Sequence, residues 1–198
     1  MNLSEILSII ASLFNVACLA IYFRQLRKNQ SIPNPATWLI WVVFTIMNFV
    51  SYFLVTDKNL WISSLSLVNG IGNMFLFLYS LTQRKFAALG VTEIISLLIA
   101  AGIGIYWKIS GNAIVANVAL QSILVISYYP TYAGLIKSTL RERPLSWIFS
   151  VIGYAILMIA VLLEKGSITK FALVFPILNV ILNSLVVFLA FRQNIKAS

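Results

Sequence analysis

Histidine is absent from the chain, which removes the commonest metal ligand, the usual general base and the usual proton relay. A single cysteine, Cys18, excludes an intrachain disulfide, and its position inside an apolar run makes it a small core residue. Charged residues make up only 10% of the sequence, and just five of them are acidic. No paired carboxylates fall inside an apolar stretch, so no constellation for nucleophilic or metal chemistry is visible. Neither an enzyme nor a cofactor is expected. What remains is strongly apolar: 61% of 198 residues are hydrophobic and the mean hydropathy is +0.96. A soluble domain of this length has too little interior for so many apolar residues, so lipid is the expected solvent. The net charge of +9 comes from basic residues spread over chain breaks. That pattern reports membrane topology rather than nucleic-acid binding.

Seven continuous apolar segments follow, each with the ~20 residues that cross a bilayer as helix. They run at about Leu3–Phe23, Pro35–Leu54, Leu60–Leu81, Phe86–Trp107, Ala113–Ile136, Pro144–Leu163 and Ile168–Phe191. Continuous runs favour helices over a barrel, whose strands alternate. Arg24, Arg27 and Lys28 are expected to stop the first segment, which has no basic leader before it and no small-residue cleavage site after it and reads as a retained helix.

One hairpin is written twice. Leu26, Lys28, Pro35, Thr37 and Trp38 recur as Leu135, Lys137, Pro144, Ser146 and Trp147, each 109 positions on. In both copies a proline opens an apolar segment, where its fixed φ and missing N–H suit a helix start. Asn69, Asn73 and Gln83 recur as Asn179, Asn183 and Gln193 at a separation of 110. An internal duplication is the reading. The shift covers four spans, an even number, so both copies enter the membrane in the same direction. The expected fold is therefore an all-α membrane protein with two parallel three-helix bundles, residues 1–85 and 109–198, joined by a linker helix, 86–108. Ten of the 14 Lys and Arg residues fall on the connections of one side, which is then cytoplasmic. The N-terminus is expected outside and the C-terminus inside, in a cell membrane, the inner one if the source is bacterial.

A 3+1+3 arrangement with the N-terminus outside resembles the PQ-loop superfamily, which includes SWEETs, bacterial SemiSWEETs, cystinosin-like carriers and the KDEL receptor. Members carry a Pro-Gln or similar dipeptide near the inner end of each unit's first helix. The matching places are Arg24-Gln25 and Pro130-Thr131, so unit one has no proline and unit two no glutamine. The resemblance implies a helix-kinking role for Pro130 and a substrate-contacting role for Asn73 and Asn183. The stretch Pro35-Ala-Thr-Trp38-Leu-Ile-Trp41 also resembles a branch of prokaryotic seven-helix proteins.

The residues point the same way. Asn69 and Asn73 are four apart and share a helix face, as do Asn179 and Asn183. Four amides near the membrane midplane suit hydrogen bonding to a polar solute; the other reading is glue between helices. Asn48 with Tyr52, and Asn117 with Gln121, are supporting candidates on faces of the second and fifth helices. Ser8 and Ser12 sit 109 positions before that last pair. Trp38, Trp41 and Trp147 fall in the first turns of their helices, where they form either an aromatic belt or an inner gate, with Gln25 and Pro130 as further hinge or gate candidates. Glu93 is the carboxylate well inside a span, a candidate for proton coupling or for snorkelling toward Arg84 or Lys85. Pro176 is a candidate for a bend.

The functional expectation is a transporter moving a small uncharged polar solute, such as a sugar, nucleoside or vitamin, by alternating access between two pseudo-symmetric units. The alternative is a ligand-binding or sorting receptor on the same fold. Expected partners are the solute and the bilayer, with a homo-oligomer left open and nucleic acid excluded.

Overall fold

The computed structural model describes residues 2–31, 35–82, 91–164 and 170–196, with the side chains of 35–37, 92–93 and 194–196 outside the description. Among the described residues there are seven α-helices and no strand: α1 Leu3–Arg27, α2 Pro35–Val55, α3 Leu60–Thr82, α4 Val91–Ser110, α5 Ala113–Ile136, α6 Pro144–Leu163 and α7 Val174–Lys196. Six of them, α4 excepted, are long and apolar enough to cross a membrane. In α4 the apolar stretch with described side chains is the shorter Ile94–Ser110. The chain is a multi-pass helical membrane protein.

The helix ends follow local chemistry. Asn2 caps α1: its side chain accepts from the Glu5 N–H at 2.8 Å, and the Glu5 carboxylate accepts from the Asn2 N–H at 3.0 Å. Asn59 and Asn112 cap α3 and α5 through their side-chain oxygens, which accept from the Ile62 and Val115 N–H groups. Two expectations shift. Arg24 and Arg27 do not stop α1, which runs through both; cations suit the negative end of a helix dipole. The last helix starts as a 3-10 turn at Lys170–Leu173, so Pro176 lies in the first turn of α7, where a missing N–H breaks nothing, rather than at a bend. The expected start of the fourth span at Phe86 lies outside the described residues.

The two copies of the hairpin end their first helices alike. Lys28, Asn29 and Gln30 donate their N–H groups to the carbonyls of Arg24, Leu26 and Gln25; Lys137, Ser138 and Thr139 donate to Ala133, Leu135 and Gly134. Asn29 and Ser138 both take left-handed backbone, φ 52° and 57°, at positions 109 apart. A turn unusual for non-glycine residues is thus repeated bond for bond.

Polarity along α1 is reversed relative to a helix of a soluble protein. On α1 the buried residues are Ser4, Ser8, Ala11, Ser12, Asn15, Tyr22 and Gln25, whereas Leu3, Ile6 and Leu13 point outward. Small and polar groups face neighbouring helices, where they permit close approach and hydrogen bonds. The apolar surface left outside, including Ile71, Leu98, Ile109 and Phe188, suits lipid.

In each triplet the third helix lies between the first and second: α3 packs on α1 and α2, and α7 on α5 and α6. The triplets meet through α1 against α6 and α2 against α5, while α4 packs outside on α5 and α2. The α1–α6 contact is close because Gly153 lets α6 approach the Ala11 carbonyl; a Cβ there would sit 3.0 Å from that oxygen. Ser4 fastens the pair further, its hydroxyl donating to the Ala160 carbonyl at 2.9 Å.

Candidate functional site

Between these helices lies a cavity of about 70 Å³ lined from six of them, with Asn15, Asn69, Asn73, Asn179 and Asn183 as its amides. That is room for a few waters or one compact solute. The four asparagines read from the sequence as a possible site are therefore together. Their hydrogen bonds differ. Asn179 and Asn183 each donate to the carbonyl four residues earlier, Phe175 at 2.8 Å and Asn179 at 2.7 Å. The Asn183 oxygen also accepts from Tyr128 at 3.1 Å. Asn69 accepts from Asn15 at 2.6 Å and donates to the Tyr154 hydroxyl, joining α1, α3 and α6. Asn73 has no hydrogen-bond partner among the described residues, although it is 9% exposed and lines the cavity. Its amide keeps two donors and an acceptor oxygen for whatever enters.

Aromatic rings close the end of the cavity at which α1 and α5 finish. Trp38 packs on Tyr22 and Trp41, with ring centroids 5.4 and 4.9 Å apart. Trp147 packs on Tyr22, Trp41 and Tyr128 at 6.0 to 6.4 Å. Both tryptophans are buried and line the cavity, so they lie inside the bundle rather than on its outer surface. Trp41 also donates from its indole to Ser127 at 2.9 Å, tying α2 to α5. Cys18 lines the same cavity, hydrogen-bonded with Ser150.

Comparison of the chain with protein-family models, with curated proteins and with solved structures found no match.

The remaining candidates lie elsewhere. Asn48, Asn117 and Gln121 form a sealed network between α2, α3 and α5. The Asn48 oxygen accepts from Gln121 at 2.9 Å and Asn117 at 3.3 Å, while its nitrogen donates to Ser66 at 2.9 Å. None of the three lines the cavity. The buried oxygens of Asn117 and Gln121 have no partner among the described residues. Tyr52 is fully buried against Phe175 and donates to the Ala172 carbonyl at 3.1 Å, again away from the cavity. Pro130 sits within the continuous helix α5 and does not line the cavity. Gln25 lies in the floor beyond the aromatic rings, where its oxygen accepts from Ser146 at 3.1 Å and from Ser31 at 3.4 Å. The side chain of Glu93 lies outside the described residues.

Sequence reasoning missed four participants. Asn15 is a lone amide in an apolar run, and Tyr154 and Tyr128 had nothing to separate them from other membrane tyrosines. The most informative omission is Glu142, in the connection between α5 and α6. It is 3% exposed, and its carboxylate accepts from the Tyr22 hydroxyl at 2.9 Å and the Trp147 indole at 3.3 Å. Burial pushes its pKa up to about 7, against the lowering effect of hydrogen bonds from Tyr22, Trp147 and Ser31.

Proposed function

We propose that the chain is a membrane transporter for a small uncharged polar solute, working by alternating access between two pseudo-symmetric units, residues 1–85 and 109–198. The observation that carries this reading is the cavity where the two helix triplets meet, lined by five amides and by aromatic rings. Such a lining suits hydroxyls, ring nitrogens and carbonyls on a compact solute such as a sugar, nucleoside or vitamin. Its lining residues include no Lys, Arg, Asp or Glu, which disfavours a charged substrate and, equally, a receptor that clasps a charged peptide end.

Two further observations support the units. The helix termini at Lys28–Gln30 and Lys137–Thr139 share one bonding pattern, and the neighbour relations of α1–α3 recur in α5–α7. That order, with α4 outside as a linker, is the reason for keeping the PQ-loop and SWEET resemblance as the family reading. With ten of 14 basic residues on one side, the end carrying Glu142 is cytoplasmic, the N-terminus outside and the C-terminus inside. No catalytic role is assigned to any residue.

A screen of uncharged polar solutes by thermal stabilisation in detergent tests the reading. A ligand at ~100 times its Kd adds about 2.7 kcal/mol to the folded state. A hit whose effect disappears in Asn73→Ala supports the site, and a hit indifferent to both Asn73→Ala and Asn183→Ala removes it.

A further inference from the structure

We propose that Glu142 is a proton-binding latch on the Lys137 side of the cavity: protonated, it fastens Tyr22 and Trp147 over the cavity, and on losing its proton to the adjoining water it leaves its pocket and the mouth opens. The inference deepens the transporter reading and rests on it in one respect, that the cavity opens to solute.

The geometry comes first. Glu142 is one contact from the cavity, because both side chains it bonds, Tyr22 of α1 and Trp147 of α6, line that cavity. The contact joins the first helix of one triplet to the second helix of the other, which is where two rocking units would part. Around the carboxyl the facing groups are Tyr22 and Gln25 from α1, Ser31 from the connection after it, and Ser146 and Trp147 from α6. Arg141 and Arg143 flank Glu142 in sequence. Arg141 is exposed, and Arg143 keeps its Nε buried without an acceptor, so neither is an ion-pair partner among the described residues. A buried carboxylate without a cation is costly, whereas the neutral acid fits this pocket. Its O–H can donate to the Tyr22 hydroxyl, which both donates and accepts, and its other oxygen still accepts from the Trp147 indole.

The direction of coupling follows from linkage. Burial raises the affinity of Glu142 for a proton, and exposure to water restores the ordinary carboxylate value, so a proton binds the closed mouth more tightly than the open one. Acid therefore holds the mouth shut and deprotonation releases it. The proton is taken up and released at the carboxyl of Glu142, and no covalent bond changes.

Cys18 supplies the readout, being the single thiol in the chain and a lining residue of the cavity. The full chain is labelled in right-side-out and in inverted membrane vesicles with a charged, impermeant maleimide, and rates are normalised to the unfolded chain at each pH. From the Glu142 face, Cys18 should react at least about tenfold faster at about pH 8.5 than at about pH 5.5. Glu142→Gln, a permanently neutral mimic, should react slowly at both. Equal pH profiles in the two proteins, or a flat profile in the unmutated chain, overturn the latch. Should Glu142→Gln fail to fold, dicyclohexylcarbodiimide, which modifies protonated carboxyls in apolar surroundings, reads the unmutated chain directly. Modification of Glu142 near pH 6 that fades near pH 8.5 supports the proposal, and its absence at both overturns it. A pH-dependent Cys18 rate without solute uptake would sink transport and leave the latch standing. Solute uptake with pH-independent Cys18 access would sink the latch alone.

Discussion

Asn73 and Asn48 carry the same side chain on neighbouring helices of one triplet, and the bundle uses them differently. Asn48 is fully buried and spends its amide on Ser66, Asn117 and Gln121, so three helices are pinned together. Asn73 faces a cavity and spends nothing among the described residues. The network joins α2 to α5, one of the two seams between the triplets, and the cavity lies alongside it. Polarity inside a membrane bundle thus serves two ends, and only the bonding state of each amide separates them. An amide bonded across helices holds them together; one that faces the cavity unbonded is free to hold a ligand.

The comparison breaks most visibly at the pinned end. Asn48→Ala takes the Asn48 oxygen from Asn117 and Gln121, which keep only Ser51 and the Asn117 carbonyl as acceptors, and the expected loss of stability is about 2 to 4 kcal/mol. Ligand affinity in the folded remainder should not change. Unfolding in a graded detergent titration measures the first and calorimetry the second; equal losses in both would erase the distinction.

Next in size is the pH dependence of stability, which sets the cavity's mouth against both amide sets. Glu142 has its pKa raised from 4.5 to about 7 on burial. Below the unfolded value both states hold the proton. As pH climbs, the unfolded chain releases it first, and stability falls until the folded pKa is passed. The loss amounts to roughly 3 kcal/mol at most. Melting temperature should therefore decline from about pH 5 to about pH 7.5, and Glu142→Gln should remove that decline. An unaltered slope in the variant would show that other groups produce it.

Asn73→Ala sharpens the comparison from the free side. Losing a partner to a buried ligand group costs roughly 1 to 3 kcal/mol, about fivefold to more than a hundredfold in affinity, with little change in unliganded stability. Asn183→Ala should lower both, since its oxygen also accepts from Tyr128. The smallest effect is expected at Ser12, whose hydroxyl meets Ser64 at 2.7 Å between α1 and α3. Ser12→Ala should cost about 0.6 kcal/mol of stability and nothing in binding, measurable in the same titration.

Helix extents were legible in the sequence because long apolar runs and Pro, Asn and Gly breaks mark them; Ala113–Ile136 and Pro144–Leu163 are read off without change. The quartet Asn69, Asn73, Asn179 and Asn183 was legible through its repetition. Spacing cannot say where a shared face points, and so Asn117 and Gln121, four apart like the cavity pairs, turn toward Asn48 instead. Asn15 stayed hidden because position 124 of the second copy is a leucine, so no echo marks it. Glu142 stayed hidden for a different reason. An acid between Arg141 and Arg143 in a connection reads as solvated, and only the fold tucks it under Tyr22 and Trp147.

That acid is written once. Position 33, which stands 109 residues before Glu142, is a proline. Two matching carboxyls facing each other across a symmetric mouth would repel, and their titration would split into two steps belonging to the pair. A single carboxyl titrates in one step of unit slope. The proposed latch therefore takes one proton per opening, because position 33 offers no second carboxyl.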